Sequence, residues 1–248
     1  MPSSAEPAAA ATLILFRERA GLAPELLMVE RSGAMAFAAG ALVFPGGRVD
    51  PGDHALAGPA AAEDGAARIA AIRETIEEVG IAVGITPAPS PGEIGAIRAG
   101  LAAGTPFATL LARAGLSIDL TALCPMARWL PRAAGRIYDT RFYLARAPAG
   151  AIAAADGGES VRAIWTSAAA ALAGADAGRH RIIYPTRRNL ERLALAGTFE
   201  AACADASSRP IATVTPWIEQ RGGEDWVCIR TDQGYPVTAE RAATALRG

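Results

Sequence analysis

The chain has 248 residues, 51% of them hydrophobic and 20% charged, with a formal net charge of −1. That composition excludes a globally disordered chain and suffices to bury a full core without disulfides. The near-neutral charge excludes a general electrostatic pull toward nucleic acid or an anionic membrane surface.

Every one of the 24 basic residues is arginine, and about a quarter of the chain is alanine. Residues 1–10 read as a flexible tail, followed by one domain over 11–248. The apolar run Ala8–Phe16 is too short to span a bilayer, and no later window is long and apolar enough to do so. Met1–Pro7 carries Glu6 and no basic side chain, which argues against a secretory leader. Cys124, Cys203 and Cys228 are far apart and give neither a disulfide framework nor zinc-ligand spacing. A cytoplasmic protein in a reducing compartment is expected, with no membrane or nucleic-acid partner.

Thr12–Arg17 and Glu25–Glu30 read as strands around a Gly21/Pro24 turn, and Ala41–Phe44 is a short apolar run ending at Pro45-Gly46-Gly47. Asp50–Gly65 is rich in Gly and Pro and reads as a loop. From Ala66, Ile69, Ile72, Ile76 and Val79 recur at steps of three and four, which predicts a helix with one buried face, ended by Gly80. Glu93–Ala103 and Pro106–Ala114 read as a helical pair. Ala127–Leu130, Thr140–Ala145 and Ser160–Trp165 read as strands, and Ser167 as the N-cap of an Ala168–Ala173 helix. Thr186–Ala196 is expected to be helical, and Ile211–Ile218 with Trp226–Arg230 to form a hairpin. Interleaved strands and helices give an α/β (α+β) class with a mixed sheet.

One stretch stands apart: Arg73-Glu74-Thr75-Ile76-Glu77-Glu78-Val79-Gly80-Ile81. On the predicted helix Glu74, Glu77 and Glu78 share one face, opposite the isoleucine stripe. Like charges at this spacing repel, and the helix dipole at this end favours cations instead. The cluster therefore opposes local stability twice. A divalent cation that takes oxygen ligands, such as Mg²⁺, would remove both penalties. The plain alternative is a solvated acidic face with Arg73 paired to Glu77.

The stretch resembles the second half of the Nudix box, G-x(5)-E-x(7)-R-E-U-x-E-E-x-G-U with U apolar; Thr75 takes the first apolar place. Phe44-Pro45-Gly46-Gly47 matches the usual lead-in, and Asp53 stands where the family has Glu. Nineteen residues separate Asp53 from Arg73, where the box has seven, so the box carries an insert. Leu26–Ser32, Phe37, Val43–Asp50, Ala127–Pro131 and Arg136–Tyr143 resemble the coenzyme A diphosphatase branch, as do Trp165 before a helix and Tyr184-Pro185-Thr186.

The resemblance implies a Nudix-type α/β/α sandwich with a mixed sheet, carrying insertions at about 54–65 and 91–115. It implies Mg²⁺- or Mn²⁺-dependent hydrolysis of a diphosphate in a small nucleotide substrate, coenzyme A or acyl-CoA first, with ADP-ribose or NADH as the alternative. Coenzyme A would be split to an adenosine 3′,5′-bisphosphate and a phosphopantetheine. A non-catalytic nucleotide sensor is the competing class. Metal ligands are then expected at Glu77 and Glu78, with Glu74 as ligand or base, and at a carbonyl of Gly46 or Gly47. Arg73 would orient Glu74. Glu159 is a second candidate base or an added ligand, and Asp53 either supports the site or caps its loop.

Arg31, Arg48, Arg128 and Arg141 are the candidate phosphate contacts, since arginine is the only cation available. Asp139 reads as a brace for Arg136 or Arg141. Phe37, Trp129 and Tyr143 could stack on a base, though core packing suits them better. His54 and His180 have no ligand partner at useful spacing, and the cysteines read as core-filling. The helical pair and the 54–65 loop are expected to form a rim over the pocket. Oligomeric state is not legible.

Overall fold

The computed structural model describes residues 6–33, 38–59, 63–131 and 137–245. The chain opens with β1 (Ala8–Arg17) and β2 (Glu25–Arg31), followed by two short strands, β3 (Leu42–Val43) and β4 (Gly46–Arg48). β1 takes in Ala8–Ala10, which were expected in the tail. Their backbones pair in parallel with Tyr138–Thr140, and Ala10 also pairs with Arg48, so hydrogen bonding on both sides overrides the weak strand preference of alanine. Of the expected tail, residues 1–5 lie outside the described residues.

The loop expected over 50–65 contains a helix, α1 (Pro51–Ala57). Its start signals outweigh its Gly and Pro content: Asp50 is the N-cap, Pro51 opens the first turn, and Asp53 Oδ2 accepts from the Asp50 N–H at 2.8 Å. The acidic helix follows as α2 (Gly65–Val79), closed by Gly80 in the left-handed region at φ 68°. Next come β5 (Ile85–Thr86), α3 (Pro91–Ala102), α4 (Phe107–Ala114) and β6 (Ser117–Ile118). α3 starts with a reciprocal cap, in which Ser90 Oγ accepts from Glu93 N–H and Glu93 Oε2 accepts from Ser90 N–H at 2.7 Å.

Three long strands follow: β7 (Cys124–Trp129), β8 (Tyr138–Arg146) and β9 (Ser160–Ser167). Ser167 caps α5 (Ala168–Asp176) as expected, its Oγ accepting from Ala170 N–H at 3.2 Å. α6 (Tyr184–Leu193) and α7 (Phe199–Ser207) come next; α7, capped by Thr198, has no large apolar stripe to announce it in the sequence. The expected hairpin forms between Trp217–Arg221 and Glu224–Cys228, but its first strand is cut short at Pro216. β10 (Thr213–Val214) joins the main sheet beside Arg128–Trp129, while β11 (Trp217–Arg221), β12 (Glu224–Cys228) and β13 (Ala239–Arg241) form a separate sheet before α8 (Ala242–Ala245).

The main sheet runs β10-β7-β8-β1-β2-β3, with β4 on β1 and β9 on β2. β1 and β8 pair in parallel, as do β7 and β10, and the remaining pairs are antiparallel, so the sheet is mixed. Alternate residues of β1 and β2 feed opposite cores. Leu13, Leu15, Leu27 and Val29 meet Ile69, Ile72, Ile76 and Val79 of α2, joined by Ile97 of α3 and Leu110 of α4. Ile14, Phe16, Leu26 and Met28 meet Ala168, Leu190 and Ala202 from α5, α6 and α7. Helices on both faces of one mixed sheet make the α/β/α sandwich that was expected. Among the described residues, no helix is long and apolar enough to cross a membrane.

Candidate active site

The isoleucine stripe fixes the rotation of α2 and thereby the position of its acids. Ile72, Ile76 and Val79 are fully buried, and Thr75 lies on the same side. The Thr75 hydroxyl donates to the Ala71 carbonyl one turn back at 2.7 Å, which is how a polar residue stands in the apolar place of the box. Glu74, Glu77 and Glu78 then face a cleft of about 720 Å³. Apolar side chains also line it, among them Val43, Phe44, Trp129, Phe142 and Ile183.

Arg73 organises the acids. Its Nε and Nη2 donate to the two oxygens of Asp53 at 3.0 and 2.9 Å, and its Nη1 donates to Glu74 Oε1 at 2.8 Å. Nη2 also donates to the Arg48 carbonyl at 2.9 Å, and Glu77 and Asp50 lie at 3.5 and 3.7 Å. Asp53 thus serves both earlier readings: it grips Arg73 and it caps α1.

The two glycines of the lead-in make room for this arrangement. Gly46 N–H donates to Glu78 Oε2 at 3.2 Å. A β-carbon on Gly47 would fall on the Glu74 carboxylate. Glycine is needed there so that the acid can lie against the backbone.

Burial shifts the acids strongly. Glu78 is pushed up to about 8, first by burial and then by the charge of Glu74, against the Gly46 hydrogen bond. Glu74 is pushed up to about 7 by burial, with Arg73 opposing. Burial raises Glu77 as well, helped by Glu159 and Asp156 across the cleft. Carboxylates that resist ionisation when alone are stabilised as anions by a nearby cation.

The donor set fits Mg²⁺ or Mn²⁺ in kind: hard oxygen donors, in excess over the one guanidinium among them. Among the described residues, however, no three acidic, imidazole or thiol side chains are already gathered around a metal position. Arg73 engages Glu74 and Glu77, and the Gly46 amide engages Glu78.

The remaining predicted residues divide. Glu159 lines the cleft from the loop before β9, its carbonyl accepting from Ser32 N–H at 2.8 Å. The sequence reading missed Asp156 beside it, whose carboxylate accepts from the N–H groups of Glu159 and Ser160 at 3.1 and 2.8 Å. The Asp156-Gly157-Gly158 turn was the available signal.

Arg31 and Arg48 line the cleft, and neither is in an ion pair among the described residues. Arg31 Nε is buried without a hydrogen-bond partner. Arg128 and Arg141, expected to contact substrate, are a correction. They face each other across β7 and β8, one residue out of step with the cleft-lining Trp129, Thr140 and Phe142. Strand alternation turns them to the other face. There Arg128 pairs with Asp139 at 2.6 Å and Arg141 with Glu63 at 2.8 Å. Asp139 therefore braces Arg128, where Arg136 or Arg141 was expected.

Trp129 is buried and donates from Nε1 to Tyr235 Oη at 2.9 Å, and Tyr143 donates to Asp64 at 3.2 Å on the α2 side, so both are packing residues. Phe37 and Arg136 lie outside the described residues. The expected rim is a second correction. Residues 60–62 lie outside the described residues, and no residue of 54–59, 63–65 or 91–115 lines the cleft; α3 and α4 instead pack into the core shared with α2.

No family model and no curated protein matches the chain. Among solved structures, a Nudix hydrolase from Alicyclobacillus acidocaldarius is similar at TM-score 0.72 and 29% identity, over 83% of this chain and 99% of that one. The Nudix domain of Shewanella oneidensis NrtR, solved with ADP ribose, superposes at TM-score 0.43 and 12% identity, over 75% of this chain and 85% of that one. A Caenorhabditis elegans Ap4A hydrolase superposes at 0.40 and 19% identity, over 68% and 86%. The architecture and the Alicyclobacillus structure together place this chain in the Nudix fold.

Proposed function

We propose that this Nudix-fold chain is a metal-dependent pyrophosphohydrolase that cleaves the diphosphate linkage of a nucleoside diphosphate derivative, with coenzyme A or acyl-CoA as its substrate class. The observation that carries this reading is the acid surplus of α2 facing a large cleft that also holds two arginines outside any ion pair among the described residues. A volume of about 720 Å³ suits a ligand of nucleotide size. The apolar lining suits a non-phosphate half that is itself apolar.

In this reading Glu74, Glu77 and Glu78 hold Mg²⁺ or Mn²⁺, with a Gly46 or Gly47 carbonyl as a further ligand. The ion, when bound, neutralises the diphosphate and acidifies a water. Arg73, locked by Asp53, fixes the direction of the Glu74 carboxylate. Arg31 and Arg48 take the phosphate oxygens, Arg31 through a buried Nε that otherwise has no acceptor. Glu159, at the edge of the cleft, or Glu74 receives the proton of the attacking water.

The test is a substrate panel. Purified protein with Mg²⁺ is incubated with coenzyme A, acetyl-CoA, ADP-ribose and NADH, and the products are separated by chromatography. Fastest cleavage of coenzyme A and acetyl-CoA is expected. Faster cleavage of ADP-ribose or NADH would replace the substrate class. Tight binding of one compound with no cleavage of any would make the chain a nucleotide sensor.

A further inference from the structure

The end of α2 that carries the acids poses a problem of its own. The last four carbonyls of a helix have no partner within it, and the helix dipole there favours a cation. The last turn of α2 carries no basic residue. The Ile76 carbonyl accepts from Gly80 N–H at 2.9 Å, which leaves those of Glu77, Glu78 and Val79.

Arg98 supplies the missing charge from outside. It lies in α3, next to Ile97, which is buried in the core shared with α2. Its Nε donates to the Glu77 carbonyl at 2.9 Å and its Nη2 to the Glu78 carbonyl at 2.8 Å. The same Nη2 donates to the Ala154 carbonyl at 2.7 Å, and Ala154 N–H donates to the Val79 carbonyl at 3.0 Å. All four end carbonyls are thereby satisfied, three of them by Arg98 and the segment it holds. That segment leads directly into Asp156 and Glu159 on the other side of the cleft.

We propose that Arg98 is a positioning residue, which ties the last turn of α2 to the 151–159 segment so that Glu77 and Glu78 are held in register with Glu159 across one cleft. The helical pair acts on the site from behind, by fixing the spacing between two acid-bearing segments, without touching substrate. This inference rests on the hydrolase reading of the cleft.

The test compares Arg98→Ala and Arg98→Lys with Arg113→Ala, an exposed arginine of α4. Three quantities are read: amide exchange at Ala154, Mn²⁺ affinity by paramagnetic resonance without substrate, and kcat and KM at a temperature where each variant is folded. Arg98→Ala should speed Ala154 exchange, weaken Mn²⁺ by about tenfold and lower kcat by about tenfold, with KM within about twofold. Arg98→Lys should recover part of each, and Arg113→Ala should match the parent. A folded Arg98→Ala with all three readings within about twofold of the parent overturns the proposal, as does a kcat loss that merely tracks the fraction unfolded. If Arg98→Ala does not fold, Arg98→Lys and Arg98→Gln are judged by the same criteria. Should the parent bind no Mn²⁺ and cleave nothing, the hydrolase reading fails, and unchanged Ala154 exchange in the variants would sink the Arg98 tie separately.

Discussion

Arg188 and Arg73 are both almost completely buried, each with more than one carboxylate beside it, and they do different work. Arg188 on α6 is 1% exposed and pairs with Glu191 and Glu240, each at 2.8 Å, with its guanidinium over the Tyr184 ring. Arg187 adds a second positive charge near Glu191 and is itself paired with Asp176 at 2.6 Å, so two cations meet three anions. Arg73 on α2 is 8% exposed but has four carboxylates within 4 Å, those of Asp50, Asp53, Glu74 and Glu77, and Glu78 close by. The first centre is within one charge of balance, and none of Arg187, Arg188, Glu191, Glu240 and Asp176 lines the cleft. The second is anionic by a wide margin and open to the cleft. A buried charge cluster with a large surplus of one sign is waiting for a charged partner, whereas one close to balance is holding elements together.

The contrast can be broken experimentally. Arg188→Met leaves Glu191 and Glu240 uncompensated and should cost about 3–5 kcal/mol in denaturant unfolding, with kcat at a permissive temperature near the parent value. A large loss of kcat in folded protein would show that the Arg188 centre also serves the site. Glu78→Gln should behave in the opposite sense. Hydrolysis should fall about a hundredfold, since an amide supplies no negative charge to a metal, while the metal-free protein should be no less stable because burial already disfavours the Glu78 anion. Undiminished turnover would remove Glu78 from the metal ligands.

The arginines sharpen the same distinction at smaller magnitude. Arg31→Ala should raise KM about tenfold, the scale of one lost charge-assisted contact, with little change in thermal midpoint. Arg128→Ala, which breaks only its pair with Asp139, should cost about 0–1 kcal/mol of stability and leave KM unchanged. An equal KM effect for the two would mean that the cleft reaches the far face of β7.

Much of the site could be read before the fold was known, because it depends on short spacings. Three acids at steps of three and four must share a face of α2, and the isoleucines between them must turn that face away from the core. Gly80 as the helix end and Ser167 as a cap follow from equally local rules. Errors arose where local signals competed. The Gly- and Pro-rich stretch after Asp50 hides a helix because the Asp50 cap and the Pro51 start outweigh the breakers that follow, and Pro216 divides a run that periodicity joins. Choosing among arginines failed for another reason. Arg31 and Arg128 look alike in sequence, and only the register of β7 against β8 turns one of them away from the cleft.

The sequence by itself determined the identity of the acids, their common face and the glycines that lie beside them, since these follow from the repeat of a helix and the absence of a side chain. Only the tertiary structure decided which charges are spoken for. Asp53 reaches Arg73 across twenty positions, and Arg98 reaches Ala154 across fifty-six. Such pairings depend on how the core draws helices and strands together, and spacing along the chain carries no record of it.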